Sequence, residues 1–563
     1  MYLDVLVKIP DVKGKITRKK KGNSIYINYE YGREYDADRK FNIPQRATIG
    51  KQSLADETMM QPNQNYMMYF PGEVLPDEKY TSKRCSLIRI GTQLVIDKII
   101  REYKLRELLG DYFERDLGLL LDLATYTIIM ENNAGQYYPD YAYNHSLFTE
   151  GMRMYSDAKV SDFLHSISVD QSVGFLNDWN SNRSYKDKIY ISYDSTNKNC
   201  QAGNLEMAEF GHAKVDIGVP IVNISMAYDT ANKVPLFYEE YPGSINDMAQ
   251  FQCMVAKARG YGYKNIGFIL DRGYFGKDNI EYMDACGYSF VMMTKGLAAF
   301  VSDMVLQIRG TFEDDRDCNI YDYDVYGTTV KKKLYVTDEK DRYFHVYHSA
   351  FKEASERADI EEKIDKIRRF LEKNIGNEID ISDSIEEYFE VILGKDGKLA
   401  AFREKKEVIR REIRLCGYFV IVTSDKMNAS EAIHLYKSRD TSEKLFCSDK
   451  TFLGNKSFRT HSNESTSGKI FVEFIALIIR CKLYTSIKAE AERLESKPNY
   501  MNVPAAIKEL EKIEMVRGYD NVYRLDHAVT ATQKTILGAF GISENDVKRA
   551  AKAISDELAA VMR

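Results

Sequence analysis

The sequence predicts a multidomain α/β protein in which an α+β core is interrupted by an inserted segment. The chain has 563 residues, more than one hydrophobic core usually organises, so roughly three or four domains are expected. Hydrophobic residues make up 44% and charged residues 29%, which is ordinary for a globular protein and excludes a largely disordered chain. The hydrophobic pattern also changes along the chain, from alternating to helical and then to strands interleaved with helices.

The two ends of the chain predict smaller regions around this core. Residues 1–90 are expected to be β-rich, because residues alternate in character through Ser24–Tyr31. Apolar residues then recur every three to four positions, so residues 91–185 predict a helical domain, with one of its helices expected at 144–166. Residues 486–563 predict a C-terminal helical tail.

The middle of the chain predicts one sheet with intervening helices. Strands are expected at 189–196, 217–229, 233–241, 265–271 and 288–294, and helices at 244–258 and 277–286. Turn residues in Asp229–Asn232 predict that the second and third strands form a hairpin. Three antiparallel strands, a helix, a strand, a helix and a strand is the order of a ribonuclease H-like core, which still requires a closing helix.

That closing helix is expected only after an insertion. Residues 296–416 contain strand-like pieces and charged stretches that predict helices near 353–373 and 397–414. A strand at 417–424 follows the insertion. The predicted core therefore comprises residues 186–295 and 417–485, with 296–416 as an insertion domain.

The segment Glu431–Lys450 reads as a single helix with an unusual polar stripe. At about 100° per residue, Tyr436, Arg439, Glu443 and Lys450 fall within about a 60° arc. A phenol, two cations and a carboxylate make a poor core face. They would suit a surface that holds a metal ion and a phosphate backbone, although a solvated face with salt bridges is an equal alternative at this point.

Two strand carboxylates favour the metal interpretation. Asp194 lies in the first predicted strand and Asp271 ends the strand 265–271, so neighbouring strands would bring them side by side. With Glu443 they would form a three-carboxylate cluster, which needs cations to offset its repulsion, and oxygen ligands select Mg²⁺ or Mn²⁺. A bland alternative for Asp271 is a strand-end cap or a salt bridge to Arg272.

Charge and cysteine content limit the other possibilities. The net charge is −5, which disfavours a surface that binds nucleic acid everywhere but permits local patches. The basic run at 13–21, which includes Lys19 and Lys20, is such a patch or else a solvated charge run. The eight cysteines form no C-x-x-C pair, and neither a signal peptide nor a membrane-spanning run is recognisable. These features predict a soluble intracellular protein without a membrane partner.

The pattern Tyr436-x2-Arg439-x3-Glu443-x6-Lys450 resembles the YREK signature of DDE transposases from bacterial insertion sequences. The sequence YDST at 193–196 is similar to the motif around the first aspartate of that family, and DRGYFG at 271–276 to the motif around the second. The blocks at 211–214 and 243–247 also resemble those that follow the first aspartate. The resemblance covers roughly 140–480, with the motifs in the family's order.

The resemblance implies a function and a set of roles. Asp194, Asp271 and Glu443 would bind two Mg²⁺ or Mn²⁺ ions that activate water to nick the element ends and then a 3′-hydroxyl to attack target DNA. The DNA-binding residues would be Tyr436, Arg439, Lys450 and Lys214, together with Lys19 and Lys20 of an N-terminal region that recognises the terminal inverted repeats. Two DNA ends imply a homodimer in the DNA complex. The expected location is the bacterial cytoplasm, at the nucleoid.

Two other functions are compatible with the same motifs. A structure-specific or host-defence nuclease of similar fold would share the active site, and inverted repeats around the gene would separate it from a transposase. A domesticated transposase could bind DNA without catalysis. The presence of all three carboxylates and of the complete YREK spacing favours an enzyme. Some relatives stack a base on a tryptophan near the second aspartate, but here the single tryptophan, Trp179, precedes Asp194, so that role would pass to a tyrosine or phenylalanine.

Overall fold

The computed structural model describes most of the chain in two compact units. It describes residues 2, 5–22, 24–37, 40–53, 56–73, 84–182, 188–200, 205–211, 218–245, 247–295, 299–335, 338, 340–440, 457–494 and 498–561. One unit contains residues Met1–Ile167 and Gly468–Arg563, and the other contains Ser168–Ser467. No helix in the described ranges is long and apolar enough to cross a membrane.

The N-terminal part of the first unit is a β-sheet followed by helices. Its elements are β1 (Val7–Lys8), β2 (Ile16–Lys21), β3 (Ser24–Asp36), β4 (Phe41–Gln52), β5 (Met59–Pro62), α1 (Gln64–Tyr69), β6 (Leu87–Arg89), α2 (Gly91–Glu102), α3 (Leu105–Phe113), α4 (Leu117–Met130), α5 (Tyr138–Asn144) and α6 (Asp157–Ser166). The first five strands form an antiparallel sheet in the order β1-β5-β4-β3-β2, which leaves β2 at an edge.

The second unit contains the strands and helices of residues 168–467, which include the five strands predicted for the core and the segment predicted as an insertion. They are α7 (Val169–Ser181), β7 (Ile189–Cys200), β8 (Ile221–Asp229), β9 (Val234–Pro242), α8 (Asp247–Gly260), β10 (Ile266–Leu270), α9 (Lys277–Cys286), β11 (Ser289–Met293), α10 (Ala299–Ile308), β12 (Asn319–Ile320), β13 (Val325–Lys332), β14 (Arg342–His348), α11 (Ala350–Lys373), α12 (Asp383–Tyr388), β15 (Phe389–Leu393), β16 (Leu399–Glu404), α13 (Lys406–Leu415), β17 (Tyr418–Thr423), α14 (Ala429–Lys437) and β18 (Ser457–Phe458).

The C-terminal part of the chain begins with a long helix. Its elements are α15 (Asn463–Arg493), α16 (Val503–Leu510), β19 (Glu514–Arg517), β20 (Tyr523–Leu525), α17 (Ala531–Gly538) and α18 (Glu544–Val561). The two strands pair with each other and β19 also pairs with β6, so the region predicted as a helical tail also contains strands that were not predicted. The strands are short, and β19 needs the distant β6 as a partner, which local periodicity cannot reveal.

A mixed sheet forms the centre of the second unit and confirms the α/β class. Along the sheet the strands follow the order β12-β13-β14-β17-β11-β10-β7-β8-β9, and β18 pairs with β7. Strands β7, β8 and β9 are antiparallel neighbours, whereas β10 is parallel to β7 and β11 is parallel to β10. The β8–β9 hairpin was predicted correctly: the Asp229 side chain accepts backbone N–H groups from Ala231 and Asn232 at 2.9 and 3.0 Å, which stabilises the turn.

Part of the predicted insertion belongs to the same sheet. Strand β14 pairs with β17 and β13 pairs with β14, so this segment extends the sheet beyond β11. A separate small core lies further along, where Ile364 and Leu371 of α11 pack with Phe389 and Leu399 of the β15–β16 hairpin. The domain boundaries proposed from the sequence remain predictions.

Three helix predictions were wrong in detail. The range 144–166 is helical only in its second half. The chain between α5 and α6 is irregular apart from one short turn. The range 397–414 begins with strand β16 rather than with helix, since β16 finds a partner in β15 that helical periodicity does not register. The predicted single helix Glu431–Lys450 is also interrupted: α14 ends at Lys437, and residues 438 and 439 form a turn.

Candidate active site

Asp194 and Asp271 lie at the same level of two neighbouring parallel strands. In the register of β7 and β10, Tyr193 is paired with Leu270, and each aspartate is the next residue along its strand direction. Parallel strands lie about 4.8 Å apart, so the two carboxylates are neighbours, as the sequence predicted. Asp194 is half-buried, and the Asp271 side chain is 42% exposed.

The direction of these side chains follows from strand alternation. Tyr193 is buried against Phe251 and Tyr274, with ring centroids 5.7 and 5.4 Å away. Because consecutive strand residues point to opposite faces, Asp194 points away from that aromatic cluster. Asp271 shares its face with Ile269, which packs in the cluster beneath α14. Both aspartates therefore lie on the face of the sheet that α14 covers.

Backbone N–H groups hold both carboxylates. Asp194 Oδ1 accepts a hydrogen bond from the Ser195 N–H at 2.9 Å. Asp271 is extended and begins a short 3₁₀ turn over Arg272–Tyr274, and its Oδ1 accepts the Arg272 N–H at 2.6 Å. The capping interpretation of Asp271 is therefore correct as local structure, and it leaves the carboxylate partly exposed.

Arg439 connects this carboxylate to the helix α14. Its Nη1 lies 3.1 Å from Asp271 Oδ1 and donates to the Tyr436 hydroxyl at 3.0 Å. The guanidinium carbon also lies 5.3 Å from the centre of the Tyr436 ring, within the range of a cation–π contact. Arg439 is only 11% exposed and Tyr436 is 6% exposed. Arg439 thus contacts the second aspartate directly, and Tyr436 contacts Arg439.

The local sequence explains why α14 lies here. Asn428 and Glu431 form a reciprocal capping box at its start. Ile433 and Tyr436 then pack on the sheet against Ile269, Val291 and Ile421. At the other end the Ser438 N–H contacts the carbonyl groups of the last turn, and the Ser438 hydroxyl donates to the Leu435 carbonyl at 2.6 Å. The helix α14 ends at Lys437, and Arg439 in the turn that follows contacts Asp271.

The donor set fits a hard divalent cation. Asp194 and Asp271 offer only oxygen atoms, which Mg²⁺ and Mn²⁺ prefer. In the described part of the chain, no group of three or more metal-ligating side chains is close enough to hold an ion. The third predicted ligand, Glu443, lies outside the described residues. Of the predicted site residues, the described part of the chain contains Asp194, Asp271 and Arg439, which pairs with Asp271.

The other residues predicted to bind DNA are not part of the described site. Lys450 and Lys214 lie outside the described residues. Lys19 and Lys20 are exposed on the edge strand β2 of the first unit.

One residue that the sequence did not single out is Lys198. It lies on β7 four residues beyond Asp194 and therefore on the same face of the strand. Its side chain is almost completely buried, with Nζ 5.2 Å from the centre of the Phe458 ring. Lysine is unusual inside a buried strand, and this strand also carries the candidate ligand Asp194, so the sequence could have marked Lys198 as a residue near the site.

Trp179 is buried, and its indole N–H donates to the Pro235 carbonyl at 3.0 Å, so it is part of the core.

The fold and the site together define a mixed α/β protein with two carboxylates on neighbouring parallel strands, Asp194 within β7 and Asp271 just after β10, and with an arginine paired to the second. Residues 191–479 match the family model described as Transposase DDE domain. Because this match spans just over half of the chain, the chain belongs to the Transposase DDE domain family. Membership of this family implies the use of a divalent metal ion.

The chain was also compared with solved structures. The chain is similar to a structure described as "Cryo-EM structure of piggyBac transposase synaptic complex with hairpin DNA", with 7% sequence identity and a TM-score of 0.31. The match covers 73% of this chain and 66% of that chain, just under two thirds of its length. No curated protein matches the sequence.

Proposed function

We propose that this protein is a DDE transposase that cleaves DNA at the terminal inverted repeats of its element and joins the freed 3′-hydroxyl to target DNA. The observation that carries the proposal is that Asp194 and Asp271 follow paired residues of neighbouring parallel strands, and that Arg439 pairs with Asp271. All three lie inside the segment that matches the family model. The proposal includes an origin in a bacterial insertion sequence of the YREK group and a cytoplasmic, nucleoid-associated location.

The strand order supports a ribonuclease H-like catalytic core. The order β9-β8-β7-β10-β11, with the first three strands antiparallel and the last two parallel to β7, is the order of that fold. In this proposal residues 186–295 and 417–485 form the core and residues 296–416 the insertion. Residues 1–90 form the DNA-binding region, 91–185 the helical domain and 486–563 the C-terminal region.

The proposed chemistry assigns a role to each site residue. Asp194, Asp271 and Glu443 would hold two Mg²⁺ ions, which when bound would supply Lewis-acid activation of the attacking and leaving oxygens. Arg439 and Lys450 would donate charge-assisted hydrogen bonds to phosphates of the bound strand. Tyr436 would orient Arg439 through its hydroxyl, and Lys214 would contact the DNA backbone. A homodimer would hold the two element ends.

Cleavage of DNA that carries the sequences flanking this gene is the direct test. We expect wild-type protein to cut such a duplex at the repeat boundary in Mg²⁺ or Mn²⁺, and to stop cutting when the metal is chelated. The Asp271→Ala variant should bind the duplex without cutting it. Binding with no cut by either protein would favour the domesticated DNA-binding alternative, and cutting without regard to the repeats would favour the nuclease.

The edge strand β2 supports a DNA-binding role for the N-terminal sheet. Arg18, Lys19, Lys20 and Lys21 are consecutive and exposed, and among the described strands β2 is the last one in the sheet, next to β3. Alternation places their side chains on both sides of the edge, where a phosphate backbone could meet them. Lysines on an edge strand can also simply prevent pairing with other chains, so the role needs its own measurement.

Replacing Lys19 and Lys20 together by alanine should weaken binding of the repeat duplex about tenfold at low salt and reduce the salt slope by about two, because two phosphate contacts are lost. Fluorescence anisotropy over a range of salt concentrations measures both quantities. The control replaces Lys548 and Lys552, which are exposed on α18, and should change affinity by less than about twofold. Equal affinity and slope in wild type and the Lys19/Lys20 variant would leave only the edge-protection role.

A further inference from the structure

The Asp271–Arg439 contact has a consequence for metal binding. Arg439 is nearly buried, and its Nη1 is shared between Asp271 Oδ1 at 3.1 Å and the Tyr436 hydroxyl at 3.0 Å. A guanidinium group remains charged at all physiological pH values. Its positive charge therefore lies directly against a carboxylate that the proposed function assigns to a divalent cation.

Two cations cannot both neutralise this carboxylate without repelling each other. The guanidinium is held by more than the ion pair, because it lies over the Tyr436 ring and Tyr436 is packed in the core beneath α14. A divalent ion that approaches Asp271 must therefore either displace Arg439 or accept its repulsion. In both cases the arginine lowers the affinity of Asp271 for metal.

A DNA phosphate would change this balance. Arginine can pair with a phosphate through two parallel hydrogen bonds, as it can with a carboxylate. Asp271 is 42% exposed, so the ion pair lies at the edge of the core, within reach of a ligand on the surface. A phosphodiester that enters the site would offer Arg439 a second anion and leave the lone pairs of Asp271 available.

We propose that Arg439 is the counter-ion of Asp271 in the DNA-free protein, and that its transfer to a DNA phosphate couples DNA binding to divalent-metal binding. This inference rests on the proposed function, because it requires a metal at Asp271 and a phosphodiester nearby. The coupling must be reciprocal: DNA strengthens metal binding at Asp271, and metal strengthens DNA binding. Metal-loaded enzyme would then be favoured only on its substrate.

Mn²⁺ titration of the full chain followed by electron paramagnetic resonance tests the inference without relying on activity. The relevant site is defined as the binding that is lost in Asp271→Asn. Without DNA, Arg439→Gln should bind Mn²⁺ at this site about tenfold more tightly than wild type, because one positive charge has been removed. The titration is then repeated with a saturating short DNA duplex, and the Mn²⁺ that the duplex itself binds is subtracted by using the Asp271→Asn protein. Under these conditions the Mn²⁺ affinities of Arg439→Gln and wild type should differ by less than about threefold, because phosphate then holds the arginine in the wild type.

Two further variants separate this effect from charge in general and from misfolding. Arg439→Lys keeps the charge and should bind Mn²⁺ within about twofold of wild type. Arg272→Gln removes a charge from the residue next to Asp271, but Arg272 is exposed and only its backbone N–H contacts the carboxylate. Its Mn²⁺ affinity should also change by less than about twofold, because solvent screens the charge. Circular dichroism of each variant confirms the fold.

The measurements distinguish a failure of the counter-ion inference from a failure of the proposed metal site. If Arg439→Gln binds Mn²⁺ no more tightly than wild type, while Asp271→Asn has lost the site, the counter-ion role is wrong and the proposed metal site stands. If Arg272→Gln strengthens Mn²⁺ binding as much as Arg439→Gln does, general charge explains the effect and the ion pair does not. If no protein shows binding that depends on Asp271, the metal site in the proposed function is itself wrong, and the inference is lost with it.

Discussion

Replacing Asp194 by asparagine is expected to lower the rate of metal-dependent DNA cleavage by about 10³-fold or more, because metal-ion catalysis depends on each charged ligand. Asparagine has nearly the same shape as aspartate, and its side-chain oxygen can still accept the Ser195 N–H that Asp194 accepts at 2.9 Å. The substitution therefore removes one charge from the paired carboxylates without removing the hydrogen bond that stabilises the strand. Single-turnover cleavage of the repeat duplex measures the effect.

Three comparisons identify this loss as catalytic. DNA affinity in the presence of chelator should remain within about threefold of wild type, because Asp194 is not assigned a phosphate contact. The Asp194→Asn/Asp271→Asn double variant should cut no more slowly than the slower single variant, since ligands of one site act as a unit. Asp278→Asn, an exposed aspartate in the first turn of α9, should cut within about twofold of wild type. An Asp194→Asn rate within tenfold of wild type would contradict a role for Asp194 as a metal ligand.

The sequence predicted the core strands well because each carries its own signal. The strands β7, β8, β9, β10 and β11 have buried apolar runs bounded by turn residues, and all five were predicted to within a few residues. Their pairing also followed, since a hairpin turn and the order of helices leave few arrangements open. The same reasoning placed Asp194 and Asp271 side by side before the register was known.

The partner of Asp271 could not be predicted in the same way. The helical period placed Arg439 on the same stripe as Tyr436, and the two side chains contact each other. The guanidinium also pairs with Asp271. Helical periodicity cannot predict that pair, because it depends on the tertiary position of the carboxylate. The strands β12, β13 and β14 were likewise assigned to an insertion, because which sheet a strand joins is a long-range property.

Tyr347 is the residue whose removal should most disturb the support of α14. It is completely buried on β14, and its hydroxyl donates to the Ala429 carbonyl in the first turn of α14 at 2.7 Å. Its ring stacks on Phe419 with centroids 5.0 Å apart. It belongs to the same buried cluster as Ile433 and Tyr436. The residue therefore fixes both the start of the helix and the packing of the face from which Arg439 extends.

Tyr347→Ala should reduce the free energy of unfolding of the Ser168–Ser467 unit by about 4 kcal/mol, because the ring leaves a cavity and the Ala429 carbonyl loses a donor. Tyr347→Phe keeps the ring and should cost only about 1 kcal/mol. Trp179, the single tryptophan, is buried in this unit, so its fluorescence during denaturant titration reports the transition.

Tyr321→Ala provides the matched control, because Tyr321 is 86% exposed and its loss should change stability by less than about 0.5 kcal/mol. The order of the two Tyr347 variants separates the two contributions of the side chain. If phenylalanine destabilised as much as alanine does, the hydrogen bond to α14 would dominate and the cavity would be unimportant. If neither variant shifted the transition, the cluster beneath α14 would not support the helix, and the position of Arg439 at Asp271 would need another cause.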